Sequence, residues 1–103
     1  MGWRVLKYPL WGEDNPEGMA WADILVPQGS TFLKVISIKD MPIAYFLTPV
    51  GARETVWYTF RIFGTGHAIS DDEVQYAGTV SCHDGALIWH IFYKVHRGDK
   101  VVS

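Results

Sequence analysis

The chain has 103 residues, of which 49% are apolar and 19% charged, and its formal charge is −2. That is enough for one domain and too little for two; the composition is globular rather than disordered, and it provides no broad basic surface for gripping nucleic acid. A single cysteine excludes an internal disulfide framework and fits a reducing compartment, and no apolar run approaches the ~18 residues of a membrane span.

Taken in chain order, Met1-Gly2-Trp3-Arg4 lacks the apolar stretch of a secretory signal. Leu6 stands where a myristoylation signal wants Ser or Thr, so the expected location is cytoplasmic. Apolar periodicity near two then runs through most of the sequence. It predicts strands over Trp3–Tyr8 and Ala22–Val26, separated by a polar loop from Gly12 to Gly18. After the turn Pro27-Gln28-Gly29-Ser30, Thr31–Lys39 alternates, with Leu33 and Val35 opposite Phe32, Ile36 and Ile38. Lys39-Asp40-Met41-Pro42 and Pro49-Val50-Gly51 bracket a strand over Ile43–Thr48. Val56–Phe63 is β-branched and aromatic on both faces, as a central strand would be. Ser70-Asp71-Asp72-Glu73 has capping-box spacing, but Gly78 follows too soon for more than one helical turn. Val74–Ser81 and Leu87–Tyr93 flank Asp84-Gly85, a pair that tolerates the positive φ of a tight hairpin. In the last strand Leu87, Trp89, Ile91 and Tyr93 share one side, and Ile88, His90 and Phe92 the other.

Seven short strands with turn signals between them predict an all-β fold, a small antiparallel β-sandwich or barrel with at most one short helical turn. One domain covers residues 1–103, with a core over about residues 3–94 and a flexible tail over 95–103.

Gly64-Thr65-Gly66-His67 follows the strongest strand. Two glycines let the backbone turn sharply, and exposed amides in such a turn can hold a phosphate or carboxylate. Arg61 and His67 flank it, and Trp57 offers a face on which a base could stack. The bland alternative is a plain turn after a strand, with Arg61 packed in the core against an acid such as Asp23 or Glu54. No Gly-Lys-Ser/Thr follows, so this is not a nucleotide P-loop. Cys82-His83-Asp84 has metal-ligand side chains without metal-ligand spacing, and strand neighbours point to opposite faces; no metal site, no catalytic cysteine and no cofactor is expected. His90, between apolar neighbours, reads as a buried histidine with a hydrogen-bond partner. Asp71-Asp72-Glu73 reads as a solvated helix start and Arg97-Gly98-Asp99 as a chance tripeptide. Five each of Trp, Tyr and Phe exceed what a core of this size uses. Trp11, Trp21 and Trp89 are therefore the expected interface residues of a homo-oligomer, against the simpler reading of an aromatic-rich core.

Several segments in order carry a resemblance: Leu6-Lys7-Tyr8-Pro9-Leu10, Val26-Pro27 before Phe32-Leu33-Lys34-Val35, Phe60-Arg61-Ile62-Phe63-Gly64-Thr65-Gly66-His67-Ala68-Ile69, and Gly78-Thr79-Val80 with Gly85-Ala86-Leu87-Ile88-Trp89-His90-Ile91-Phe92. On these the chain resembles a family of small uncharacterised proteins of phages, prophages and bacteria. It departs from that pattern in a longer, more aromatic Trp11–Asp23 segment and in the tail Lys94–Ser103. The resemblance brings no activity. It implies context: a small accessory protein acting in the host cytosol if phage-encoded, directed at a host component, with blocking of antiviral defence as one outcome.

No nucleophile–base pair or acid pair has recognisable spacing. The expectation is a non-enzymatic accessory protein that sequesters a small anionic, nucleotide-like ligand through Arg61, Gly64, Thr65, Gly66, His67 and Trp57. A protein–protein inhibitor of a host factor and a structural or virion accessory domain are the alternatives. No membrane partner and no broad nucleic-acid binding are expected.

Overall fold

A computed structural model describes residues 2–10, 21–66, 68–69 and 74–96. Seven strands are present: β1 (Trp3–Pro9), β2 (Trp21–Pro27), β3 (Thr31–Ile38), β4 (Met41–Pro49), β5 (Thr55–Gly64), β6 (Gln75–Cys82) and β7 (Leu87–His96). They form two antiparallel sheets, ordered β1-β4-β3 and β2-β5-β7-β6, packed face to face as a sandwich. There is no helix among the described residues, and hence none long and apolar enough to cross a membrane. The residues of the expected helical turn, 70–73, lie outside the described set. β7 runs through His96, so the ordered strand passes the expected core limit at residue 94.

The two-residue period fills the space between the sheets with alternate side chains. Phe46 from β4 is fully buried there and meets Tyr8, Phe32, Tyr58 and Phe60 edge-on at centroid distances of 5.5, 5.6, 4.9 and 6.3 Å. Val26, Ile62, Val80 and Ile91 complete the centre. The core is thus built from Phe and Tyr, whereas Trp3 is 60% exposed and Trp57 38%.

Two bulges break the alternation, and both matter for the faces. In β3 the pairing shifts between Phe32 and Lys34, leaving Leu33 as the extra residue. Phe32 and Val35 therefore both face the core, opposite Phe46 and Ala44, rather than opposite faces as a strict period of two predicts. In β6 the shift lies between Tyr76 and Gly78. Ala77 and Val80 turn inward, and Tyr76 and Thr79 both turn outward, with their hydroxyls 2.6 Å apart. Gly78 is required at that bulge. A Cβ there would lie 2.9 Å from Val35 Cγ1, where the edges of the two sheets meet.

Both hairpins turn through left-handed backbone at non-glycine residues: Lys39 and Asp40 between β3 and β4, His83 and Asp84 before Gly85 between β6 and β7. Asp40 ties the two tips together. Its Oδ1 accepts the His83 amide at 2.7 Å, and its Oδ2 lies 3.5 Å from His83 Nδ1. Pro42, near the start of the central strand β4, takes no bond from the pairing with β3. Its carbonyl accepts the Leu10 amide at 2.9 Å, so its missing N–H would have faced the same side, toward Leu10 and away from β3.

Candidate functional site

The outward face of the four-stranded sheet is set by register. Its rows place Leu25, Trp57 and His96 together, then Asp23, Thr59 and Lys94, then Arg61, Phe92 and Tyr76, then Phe63, His90 and Thr79. Phe63 and Phe92 meet edge-on at 5.8 Å, and Phe92 and Tyr76 at 5.4 Å. A floor of three aromatic rings therefore runs beside Arg61 on the solvent side of the sheet.

Arg61 is half-buried on this face, and no carboxylate of the described residues lies within ion-pair distance of it. Neither Asp23 nor Glu54 is its partner, so the core-arginine arrangement is not formed. Asp23 instead accepts the Thr59 hydroxyl at 2.7 Å, and Glu54 offers its backbone carbonyl to the Gln28 amide. The reason is the alternation itself: Arg61 follows the inward Phe60 and precedes the inward Ile62, which fixes it outward.

One row on, His90 is paired on both ring nitrogens. Its Nε2 lies 2.7 Å from Thr65 Oγ1 and its Nδ1 3.2 Å from Thr79 Oγ1. A hydrogen-bonded histidine is what the sequence suggested, but this one is half-buried on the outer face, not in the core. Through it the Gly64–Gly66 turn, exposed at Thr65 and Gly66, is joined to β6. Gly66 has φ +94°, a conformation open to glycine and strained for other residues. Thr65, Gly66 and Arg61 are thus brought to one end of the sheet; His67 lies outside the described residues.

Trp57 does not belong with them. Eight residues of extended strand separate it from Thr65, roughly 26 Å at about 3.3 Å per residue, too far to stack a base whose phosphate sits in the turn. The rings that can do so are Phe63, Phe92 and Tyr76. The sequence pattern alone does not mark Tyr76 and Thr79, because only the β6 bulge puts both outward beside His90. Of the expected interface residues, Trp89 packs against the core on the inner side of β7, which removes it from an outer interface. Trp11 lies outside the described residues, and Trp21 is described only as the backbone partner of Arg61 at the start of β2.

A second polar cluster sits at the Trp57 end. Thr59 Oγ1 donates to Asp23 Oδ1 at 2.7 Å and lies 2.8 Å from His96 Nε2. A hydroxyl has one proton. With that proton on the carboxylate, His96 Nε2 must be the donor to Thr59. The polarity is the reverse of an activated nucleophile, whose hydroxyl gives its proton to the imidazole. Cys82 is buried with its Sγ 3.6 Å from Ser37 Oγ, while His83 is held by Asp40, so these neighbours form no thiol–imidazole pair. No three His, Cys, Asp or Glu side chains among the described residues are grouped to hold a metal ion.

The outward face of the three-stranded sheet differs in character. Trp3 and Val5 are 60% and 55% exposed at one end, and Ile36 and Ile43 pair at the other. Lys7, Tyr45 and Lys34 form the row between, and no carboxylate occupies an outward position on these strands.

Neither curated proteins nor solved structures provide a match to this chain. Residues 1–100 match a family defined only as a domain of unknown function, DUF7352. With all the strands and the outer-face site inside that span, the chain belongs to the DUF7352 family.

Proposed function

We propose that this protein is a non-enzymatic binding protein that captures a small anionic ligand carrying an aromatic ring, of which a nucleotide is the type. One observation carries the reading: Arg61 stands on the outer face with no carboxylate of the described residues to neutralise it, beside a floor of three aromatic rings and separated from the Gly64–Gly66 turn by the single Phe63–His90 row. Arg61 would hold the phosphate with charge-assisted bonds, the Thr65 hydroxyl and the turn amides would complete its shell, and the rings of Phe63, Phe92 and Tyr76 would take the base. His67, next in the chain after Gly66, would add charge as it protonates. The resemblance of its motifs to phage and prophage proteins favours a host-directed role in the cytosol, sequestering a nucleotide signal of antiviral defence. Calorimetric titration with adenosine 5′-monophosphate, adenosine and inorganic phosphate tests this. The nucleotide should bind more tightly than either fragment, and Arg61→Ala should abolish binding in a folded protein. Equal binding of adenosine alone, or none by any of the three, rejects it.

A second reading rests on the other sheet. Its outward face joins exposed Trp3 and Val5 to the row Lys7–Tyr45–Lys34, an apolar surface whose strand charges are all positive. Such a face fits an acidic protein surface and disfavours a second copy of itself, because a two-fold interface would oppose its lysines. Homo-oligomerisation, if present, would then use another face. Charge reversal at Lys7 and Lys34 discriminates: it abolishes the effect of the expressed protein on the host if this is an inhibitor and leaves it unchanged if the anion site acts alone.

A further inference from the structure

The hydrogen bonds around His90 form one chain: Tyr76 Oη to Thr79 Oγ1 at 2.6 Å, Thr79 Oγ1 to His90 Nδ1 at 3.2 Å, and His90 Nε2 to Thr65 Oγ1 at 2.7 Å. Each hydroxyl has one proton to give, and a neutral imidazole has one N–H and one bare nitrogen. At a neutral His90 one of the two ring bonds is therefore donated and the other accepted, while Thr79, with two lone pairs, can accept from both His90 and Tyr76. Thr65 accordingly either donates to Nε2 or accepts from it. The lengths indicate the sense. An O–H donor sits closer to its acceptor than an N–H donor does. The 2.7 Å contact suits Thr65 donating to Nε2, and the 3.2 Å contact suits Nδ1–H donating to Thr79. Thr65 thereby shows lone pairs outward, in the turn where an anion would sit.

Protonation of His90 changes this. Both ring nitrogens then donate, Thr65 must accept, and its own hydrogen swings outward. We propose that His90 is the positioning residue of the anion site, coupling capture of an oxyanion to uptake of one proton by turning the Thr65 hydroxyl from acceptor to donor. The proposal rests on the anion reading above and adds its regulation: the oxyanion, a phosphate or sulfate group, is held more tightly when His90 carries the extra proton. The groups facing His90 are Arg61 and Phe63 from β5, Tyr76 and Thr79 from β6, and Phe92 and Lys94 on β7 itself. No carboxylate of the described strands stands in its own row or the next; Asp23, two rows away, is engaged by Thr59. A bound oxyanion would thus supply negative charge beside the imidazolium.

Sulfate is the probe, because it stays a dianion across the range in which histidine titrates. Its affinity should fall as pH rises from mildly acidic to mildly alkaline, by at most about tenfold per pH unit for one linked proton, until the neutral-state affinity is reached. His67 could produce a similar slope, so variants separate the two. In His67→Ala the slope should persist, weaker in absolute affinity. In His90→Gln, whose amide can still donate to Thr65 but does not titrate, sulfate should bind with the slope reduced to the His67 share. The His90 ring resonances, followed by NMR at one mildly acidic pH, should shift as sulfate saturates the site. A slope retained in full by His90→Gln and lost in His67→Ala overturns the proposal, as does sulfate binding with no pH dependence, which leaves the anion reading standing. Absence of sulfate binding at every pH rejects both.

Discussion

Arg61→Ala removes a cation that no carboxylate of the described residues balances. Had this arginine been sunk in the core against Asp23 or Glu54, its loss would strand a buried carboxylate at a cost of about 3–5 kcal/mol. That is a large share of the roughly 5–15 kcal/mol available to a domain of this size. On the outer face the loss is different in kind. The guanidinium has no ion pair to break, and what goes is the packing of a half-buried aliphatic stem over the sheet, on the order of 0.5–1 kcal/mol. With a urea dependence of about 1–3 kcal/mol per molar, the unfolding midpoint should move by less than about 1 M. Tryptophan fluorescence reports the transition, since Trp89 lies against the core and Trp57 on the surface. A destabilisation of 3 kcal/mol or more would refute the assignment of Arg61 to an unpaired surface position, and with it the candidate site.

Phe46→Ala empties a fully buried position touched by four other rings and should cost about 3–5 kcal/mol in the same urea experiment; a cost under about 1 kcal/mol would mean the core is centred elsewhere. Asp40→Ala frees the two hairpin tips and leaves alanine at a φ of 65°, so thermal melts should show a loss of about 1 kcal/mol, and Asp40→Asn, which can still accept the His83 amide, a smaller one. Burial raises the Tyr8 hydroxyl above its usual value of 10.0, against a smaller lowering by Arg4. The folded chain therefore holds that proton more firmly than the unfolded one. The stability it contributes is complete below pH 10 and is lost as pH rises through the raised value. Urea titrations above pH 10 should show this loss in the native chain and not in Tyr8→Phe.

The strands were legible because burial on one face writes a period of two into the sequence, and Asp84-Gly85 announced its own backbone: both residues take positive φ, as does His83 before them. The alternation of β7 could be read directly, with Trp89, Ile91 and Tyr93 on the core side. What could not be read is where the period slips. Nothing in Phe32-Leu33-Lys34-Val35 marks Leu33 as the extra residue; the slip is decided by the need of both Phe32 and Val35 to reach the space between the sheets. The same holds for Ala77, and it had the larger consequence, because that bulge aims Tyr76 and Thr79 at His90. Glycines and an arginine near the end of a strand could be recognised as candidate site residues. Their partners from β6 and β7 depend on register between strands, which a single sequence does not carry. Trp57 shares the outward face of β5 with Arg61, as strand alternation predicts, but an extended chain carries it far from the turn at the other end.

The most direct test of an anion site on the four-stranded sheet is an amide-resolved NMR titration with adenosine 5′-monophosphate. Saturable shifts should gather at Gly64, Thr65 and Gly66 and at Phe63, His90 and Phe92, leave the Trp57 end and the Lys7–Tyr45–Lys34 row unmoved, and vanish in Arg61→Ala. Shifts centred on Tyr45, or no saturable shift at millimolar nucleotide, would contradict the account.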